Sequence, residues 1–269
     1  MYYVPAANHL QKNLDGDYAV PEFLHGKPVK GSSRYTDGSR GTEREDMVIE
    51  NDIAFGTLIE KLEQTDDPRR PGYKLIDNTL IIFTSDNGPN VGDNLGVNQE
   101  SGGLRGKKAK LWEGGHRVPF ILYWKDRFSG KKLNRNLFSL TDLFATFARL
   151  LEDPLKPDEA QDSLDSLDYW DDPVKNDQRP RYFFCHLGPP YKNDALAIRK
   201  SFTKIIVRGG LAQPWTSGGS RGSSQKVICY DLEKNPLESD ELAESIDGDK
   251  EIPALRELLK INNPVSYTH

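Results

Sequence analysis

Cysteine is scarce in this chain: 269 residues hold two, Cys185 and Cys229. That number excludes a disulfide framework, and their wide separation excludes a CxxC metal site. A single bridge between them stays open beside two buried thiols, because each sits in a strand-like run, 181–187 and 227–231. Long apolar runs are missing too. No stretch approaches the roughly 18 uninterrupted apolar residues of a membrane span. The opening Met1-Tyr2-Tyr3-Val4-Pro5 has neither the basic nor the apolar region of a signal peptide. There is no basic excess either: 36 Lys and Arg face 41 Asp and Glu, a net charge of −5. Such a balance argues against a general phosphate-backbone binder, which needs a basic face, so no nucleic-acid partner is expected.

What is there suits one large domain or two smaller ones with a real core. The first ten residues carry an apolar run ending at Asn8-His9-Leu10, which predicts a short buried strand delivering His9 to a loop. Residues 15–44 mix Gly, Pro, Ser and charge with no sustained period, the mark of a long surface excursion. Thr42 followed by Glu45 is a capping box. Met47, Ile49, Ile53, Leu58, Ile59 and Leu62 then recur at helical spacing as far as Gln64.

After the DDPRRPG break at 66–72, residues 78–85 form a nearly continuous β-branched run, expected of a strand buried on both faces of an α/β sheet. It ends on Asp86-Asn87-Gly88-Pro89, and ligands of such sheets bind beyond the carboxyl ends of strands. Residues 118–124 predict a second strand, 140–151 a helix, and the acidic 154–180 a linker or surface arm. Strands at 182–187, 195–199, 204–207 and 227–231 and a helix at 253–260 complete a small α+β unit.

Three segments carry candidate chemistry. Asp86 beside Asn87 offers two hard oxygen donors of the kind Ca²⁺ or Mg²⁺ takes, though Asn-Gly after a strand is also an ordinary turn. In 104–119 (LRGKKAKLWEGGHRVP), Lys107, Lys108 and Lys110 read as a solvated charge run or as a point charge for an anionic ester. A P-loop is excluded there, because Lys108 follows Lys107 where Ser or Thr is required. His9 is a structural histidine or a catalytic one.

These segments occur in an order that resembles the sulfatase family of the alkaline-phosphatase-like superfamily. The strand with SDNGP at 79–89 is similar to the family's second metal-ligand pair. LRGKKAKLWEGGHRVPFILYW at 104–124 is similar to its LRGGKxxxxEGGxRVPxIxxW segment. TDLFAT at 141–146 resembles its DLFPT helix, ALAIRKSFTKII at 195–206 its AVRxGxYKLI hairpin, and CYDLEKNPLESDELAE at 229–244 its LYDLxxDPxExxNLA segment. YYVPAANH at 2–9 resembles the LYxxxxxPHxP strand more loosely. The motif set is nearest the arylsulfatase A and N-acetylgalactosamine-6-sulfatase branch.

The resemblance implies that Asp86 and Asn87 ligate a divalent cation, normally Ca²⁺. It implies that Lys108, with Lys107 as the neighbouring register, contacts the sulfate, and that His9 lies beside the leaving ester oxygen. It implies an aryl or carbohydrate sulfate as substrate, and export, since many relatives are exported. The expected fold class is α/β: an incomplete alkaline-phosphatase-like sheet flanked by helices over 1–153, the arm at 154–180, and an α+β subdomain with a short antiparallel sheet over 181–269.

In that family a formylglycine, made from Cys or Ser in a C/S-x-P/A-x-R motif, attacks sulfur. Neither cysteine segment fits, and Ser32, Ser39 and Ser220 fail as well. The sequence therefore predicts the C-terminal part of a sulfuric ester hydrolase, without turnover of its own and completed by a missing N-terminal segment or a partner chain. Two rivals are a non-catalytic remnant or interaction module, and a phosphoesterase of the same superfamily with a Thr or Ser nucleophile and more metal-binding His. An α/β sheet without its first strands is also expected to expose apolar surface and to associate.

Overall fold

The computed structural model describes residues 1–7, 9, 19–89, 100–128, 130–156, 158–175, 183–187, 195–208, 226–239 and 244–246. The chain divides into two compact units, one of residues 1–82 with 122–129 and one of residues 83–121 with 130–269.

The first unit is organised by α1 (Glu43–Gln64), the helix that the Thr42 capping box predicts. Thr42 accepts from the Arg44 N–H at 3.2 Å while its own N–H donates to Glu45 Oε2 at 2.7 Å. Two groups that a helix start leaves orphaned are thereby satisfied. The preceding segment is not a free excursion. Strands β1 (Phe23–Leu24) and β2 (Lys27–Pro28) pair antiparallel across His25 and Gly26, both left-handed as a tight hairpin turn requires. The buried carboxylate of Asp46 on α1 then accepts from the N–H groups of Gly31 at 2.6 Å and Ser33 at 2.9 Å. Val29 and Met47 are fully buried in the same unit. A polar side chain, invisible to apolar periodicity, ties the excursion to the helix.

A 3-10 turn at Leu75–Asn78 carries Asp77, which accepts from the Lys74 N–H at 2.7 Å and pairs with Lys125. The Lys125 ammonium first, and the Lys74 N–H second, hold the Asp77 carboxyl below the usual carboxylate range. The opening residues correct the expectation of a buried strand. Met1, Tyr2 and Val4 are 99 %, 94 % and 68 % exposed and form no strand. An apolar run makes a strand only where a ladder accepts it, and among the described residues none pairs with 1–5.

The strand-like run at 78–85 becomes β3 (Ile81–Thr84), paired with β4 (Phe120–Tyr123) in a two-stranded sheet. Its expected burial on both faces is corrected: Phe83 is 41 % exposed, and on β4 Ile121 is 59 % exposed. Among the described residues each strand is paired along one edge only.

The second unit holds a five-stranded antiparallel meander in chain order: β5 (Phe183–Leu187), β6 (Ala195–Lys200), β7 (Thr203–Arg208), β8 (Lys226–Asp231) and β9 (Glu244–Ile246). Side chains alternate across its faces. Ala197, Ile206, Ile228 and Tyr230 face a core that also takes Leu111, Leu232 and the edge of Trp112, whose ring meets Tyr230 at 5.8 Å. The register settles the cysteines. Cys185 on β5 and Cys229 on β8 are separated by β6 and β7, so three strand spacings put them about 14 Å apart. A disulfide spans less than about 7 Å between Cα atoms, so the bridge left open by the sequence is excluded within one chain.

Also in this unit, a 3-10 turn at Leu140–Asp142 runs into α3 (Leu143–Leu150), as the sequence predicts. Within 154–180, read as an arm, residues Leu167–Asp171 form the short helix α4 and bury Leu167 and Trp170. Trp170 packs against Phe120, Phe138 and Phe147. The expected helix at 253–260 lies outside the described residues. Among the described residues no helix is long and apolar enough to cross a membrane.

Candidate functional site

The Ser85-Asp86-Asn87-Gly88-Pro89 loop leaves the carboxyl end of β3 and stays locally ordered. Ser85 Oγ donates to the Asn87 carbonyl at 3.0 Å. The Asn87 side-chain amide donates to the Gly88 carbonyl at 3.0 Å, which fixes the amide and leaves its oxygen as an acceptor. The Asp86 side chain is exposed, and among the described residues it has no hydrogen bond or ion pair.

Backbone packing then joins this loop to the lysine segment through α2 (Glu113–His116). The Gly88 N–H donates to the Gly115 carbonyl at 3.0 Å, and the Lys108 N–H donates to the Pro89 carbonyl at 2.8 Å. The approach is close enough to require glycine. A methyl on Gly88 would lie 1.8 Å from the Gly114 oxygen, one on Gly114 2.6 Å from the Arg105 oxygen, and one on Gly115 2.4 Å from the Lys110 oxygen. Three glycines thus interlock three stretches of backbone with no side chain between them.

Between Gly106 and Trp112 the chain turns tightly, with Gly106 and Ala109 both left-handed. Lys108 is half-buried, and among the described residues its ammonium has no hydrogen bond or ion pair, whereas Lys107 takes part in a further interaction. The His116 imidazole is held below its usual range, first by desolvation and then by the Lys204 ammonium.

The α2 segment is anchored from its other side by charges for which the sequence predicts no role, although Glu113, Arg199, Lys204 and Glu238 all stand at fixed letters of the sulfatase-like motifs. Glu113 is buried, and its carboxylate meets Arg199 through Oε2 and Lys204 through Oε1, the latter at 3.2 Å. Lys204, itself buried, also faces Glu238 Oε1 at 2.8 Å, as an ion pair outside hydrogen-bond geometry. Glu238 Oε2 accepts from the Glu113 N–H at 2.6 Å. Burial pushes the Glu238 carboxyl up, against the opposing pull of Lys204. Arg105 stacks 3.7 Å over the Trp112 ring and donates to the Glu238 carbonyl at 2.6 Å.

Sequence carried a further signal of this cluster. Arg199 and Lys204 are directly opposite partners on β6 and β7, and like charges so placed need an anion between them. That signal emerges only once the hairpin register is known.

Among the predicted site residues, Asp86, Asn87 and Lys108 are therefore gathered in the second unit by hydrogen-bonded loops. His9 belongs to the first unit, in an exposed bend whose N–H donates to the Ala6 carbonyl at 3.2 Å. Among the described residues no group of three or more His, Cys, Asp or Glu is placed to hold a metal ion.

Solved sulfatase structures share the fold of this mixed helix-and-strand chain. The Bacteroides fragilis protein yidJ, which carries a provisional sulfatase name, aligns at TM-score 0.56 and 18 % identity, covering 82 % of this chain and 42 % of its own. BT4656, solved with its substrate D-glucosamine-2-N,6-O-disulfate, aligns at TM-score 0.53 and 18 % identity over 82 % of this chain and 40 % of its own.

Residues 1–153 match the Sulfatase family, and the chain belongs to it. Curated relatives include the N-acetylgalactosamine-6-O-sulfatase of Bacteroides thetaiotaomicron, 31 % identical over 84 % of this chain and 42 % of the relative. The human steryl-sulfatase is 26 % identical over 99 % of this chain and 47 % of the relative. The chain thus spans less than half the length of these relatives.

Proposed function

We propose that this chain supplies part of the site of a sulfuric ester hydrolase acting on an aryl or carbohydrate sulfate. The observation that carries the reading is the glycine-locked pair of loops, in which the Lys108 N–H bonds the Pro89 carbonyl at 2.8 Å, three residues beyond Asp86. It brings an oxygen-donor pair and a cation into one rigid backbone assembly.

Asp86 and Asn87 are the ligands for a divalent cation, Ca²⁺ by family resemblance. The donor chemistry fits, since the Asp86 carboxylate has no partner among the described residues and the Asn87 amide oxygen is left as an acceptor. Ca²⁺ takes about 6–8 oxygens, so this pair is a partial shell that other segments, water or substrate must complete. When bound, the cation supplies positive charge to sulfuryl oxygens. Lys108 adds a second positive charge for the sulfate, its ammonium unspent on any carboxylate among the described residues. His9, exposed, is the residue proposed to serve the leaving oxygen.

None of the 269 residues lies in a C/S-x-P/A-x-R nucleophile motif, so these residues by themselves are expected not to turn over sulfate esters. Export follows the family and belongs to the same proposal. Calorimetric titration of the purified chain tests the reading. Ca²⁺ binding is expected and is lost in Asp86→Ala. Inorganic sulfate binding weakens at least about ten-fold in Lys108→Ala and is unchanged in Lys110→Ala, as loss of one charged contact predicts. Equal Ca²⁺ binding by Asp86→Ala, or aryl sulfate hydrolysis that vanishes with that substitution, would overturn the assignment or the inactivity respectively.

A further inference from the structure

We infer that Lys204, Arg199 and Glu238 of the C-terminal sheet region are positioning residues for the candidate site. They act through Glu113 to hold the α2 turn on which the Asp86–Asn87 and Lys108 loops are locked. The inference rests on the preceding reading only for what those loops bind; the mechanical link stands on contacts within the second unit.

The link begins at the sheet. Arg199 and Lys204 are opposite partners on β6 and β7, and Lys204 points to the same buried face as Ile206. A buried ammonium beside a guanidinium is tolerated only if anions sit against both, and Glu113 provides one carboxylate oxygen to each. Glu238, fully buried, takes the other side of Lys204 and also binds the Glu113 backbone N–H. Both ends of the Glu113 residue, backbone and side chain, are therefore gripped by the C-terminal region.

The link ends at the loops. The next two residues, Gly114 and Gly115, are the ones whose backbone abuts Gly88 and the 104–110 carbonyls without room for a methyl group. A shift of Glu113 by a fraction of an ångström is transmitted, because no flexible side chain lies between α2 and either loop. None of the four charged residues needs to touch a ligand. Removing Lys204 leaves two buried carboxylates with Arg199 alone, and the ion pairs that hold the Glu113 side chain to the sheet are reduced to one.

Amide hydrogen exchange on the full chain tests this. Gly88 and Lys108 are the probes, since their N–H groups bond the Gly115 and Pro89 carbonyls. In Lys204→Met, exchange at both is expected to quicken at least about ten-fold relative to sheet amides such as Ile205, and Lys204→Arg is expected to restore most of the protection. Ile206→Val, which trims the same sheet core without touching the charges, is the control for general destabilisation. Equal loss of Gly88 and Lys108 protection in Lys204→Met and Ile206→Val overturns the inference, and so does unchanged protection in Lys204→Met. A parallel Ca²⁺ titration separates the two claims. If the wild-type chain binds no Ca²⁺, the metal reading falls while the exchange comparison still decides the positioning role. If it binds Ca²⁺ equally well in Lys204→Met, the role toward the site falls and the metal reading stands.

Discussion

Gly88 is the residue at which the candidate site is most sensitive to a single atom. Its Cα faces the Gly114 carbonyl so closely that an added methyl would sit 1.8 Å from that oxygen, and both partners are backbone. Nothing flexible can yield, so Gly88→Ala should destabilise the chain by about 3 kcal/mol, the upper part of the usual range for overpacking. Urea unfolding measures it, and a loss below about 0.5 kcal/mol, ordinary for a surface change, would mean that the loops are not locked as described. Ser201 shows a constraint of another kind, set by its own backbone rather than by a neighbour. It is left-handed at φ 51°, at the turn between β6 and β7 where the family pattern has glycine.

Among the elements, α1 shows how far local rules reach. Its start is set by the reciprocal Thr42 and Glu45 bonds, and Thr42→Ala removes the side-chain acceptor for the Arg44 N–H. A loss of about 1 kcal/mol is expected, largely recovered by Thr42→Ser. Denaturation that cannot distinguish Ala from Ser at this position would show that the cap contributes nothing. The meander strands β5 to β8 likewise fall where the sequence places them, within a residue or two. The first residues do not. The same apolar character that makes 204–207 a strand leaves Tyr2 and Val4 exposed, because β7 has neighbours on both sides and 1–5 has none among the described residues.

For the whole molecule, the described residues include a two-stranded sheet, β3 with β4, each strand paired along one edge. Ile121 and Phe83 remain 59 % and 41 % exposed upon it. Unpaired edges with apolar side chains are templates for another chain, so the isolated polypeptide should associate as its concentration rises. Sedimentation velocity reads this directly, with Ile121→Lys expected to reduce the association. A sedimentation coefficient constant across the concentration range would show that this edge is protected.

The residue types of the proposed site were legible from the chain alone. Asp86 and Asn87 stand at the end of a recognisable strand, and Lys108 stands in a segment whose Glu113-Gly114-Gly115 fixes its register. Their order also placed the chain in its family. How those residues come together was not legible. Periodicity reports which side chains seek a core, and it is silent about contacts made by backbone against backbone or by buried charge against buried charge. The glycine interlock and the Glu113, Lys204 and Glu238 cluster are of these two kinds. The interlock needs Gly88 brought against Gly114 and Gly115, and the charge cluster needs segments more than a hundred residues apart, such as Glu113 and Glu238, brought within hydrogen-bond distance. Sequence by itself determined the residue types of the proposed site, the helices α1 and α3, and the meander strands β5 to β8. Tertiary structure decided that the cysteines lie three strand spacings apart, that the opening residues find no ladder among the described residues, and that a buried ion cluster grips the turn on which the proposed site loops rest.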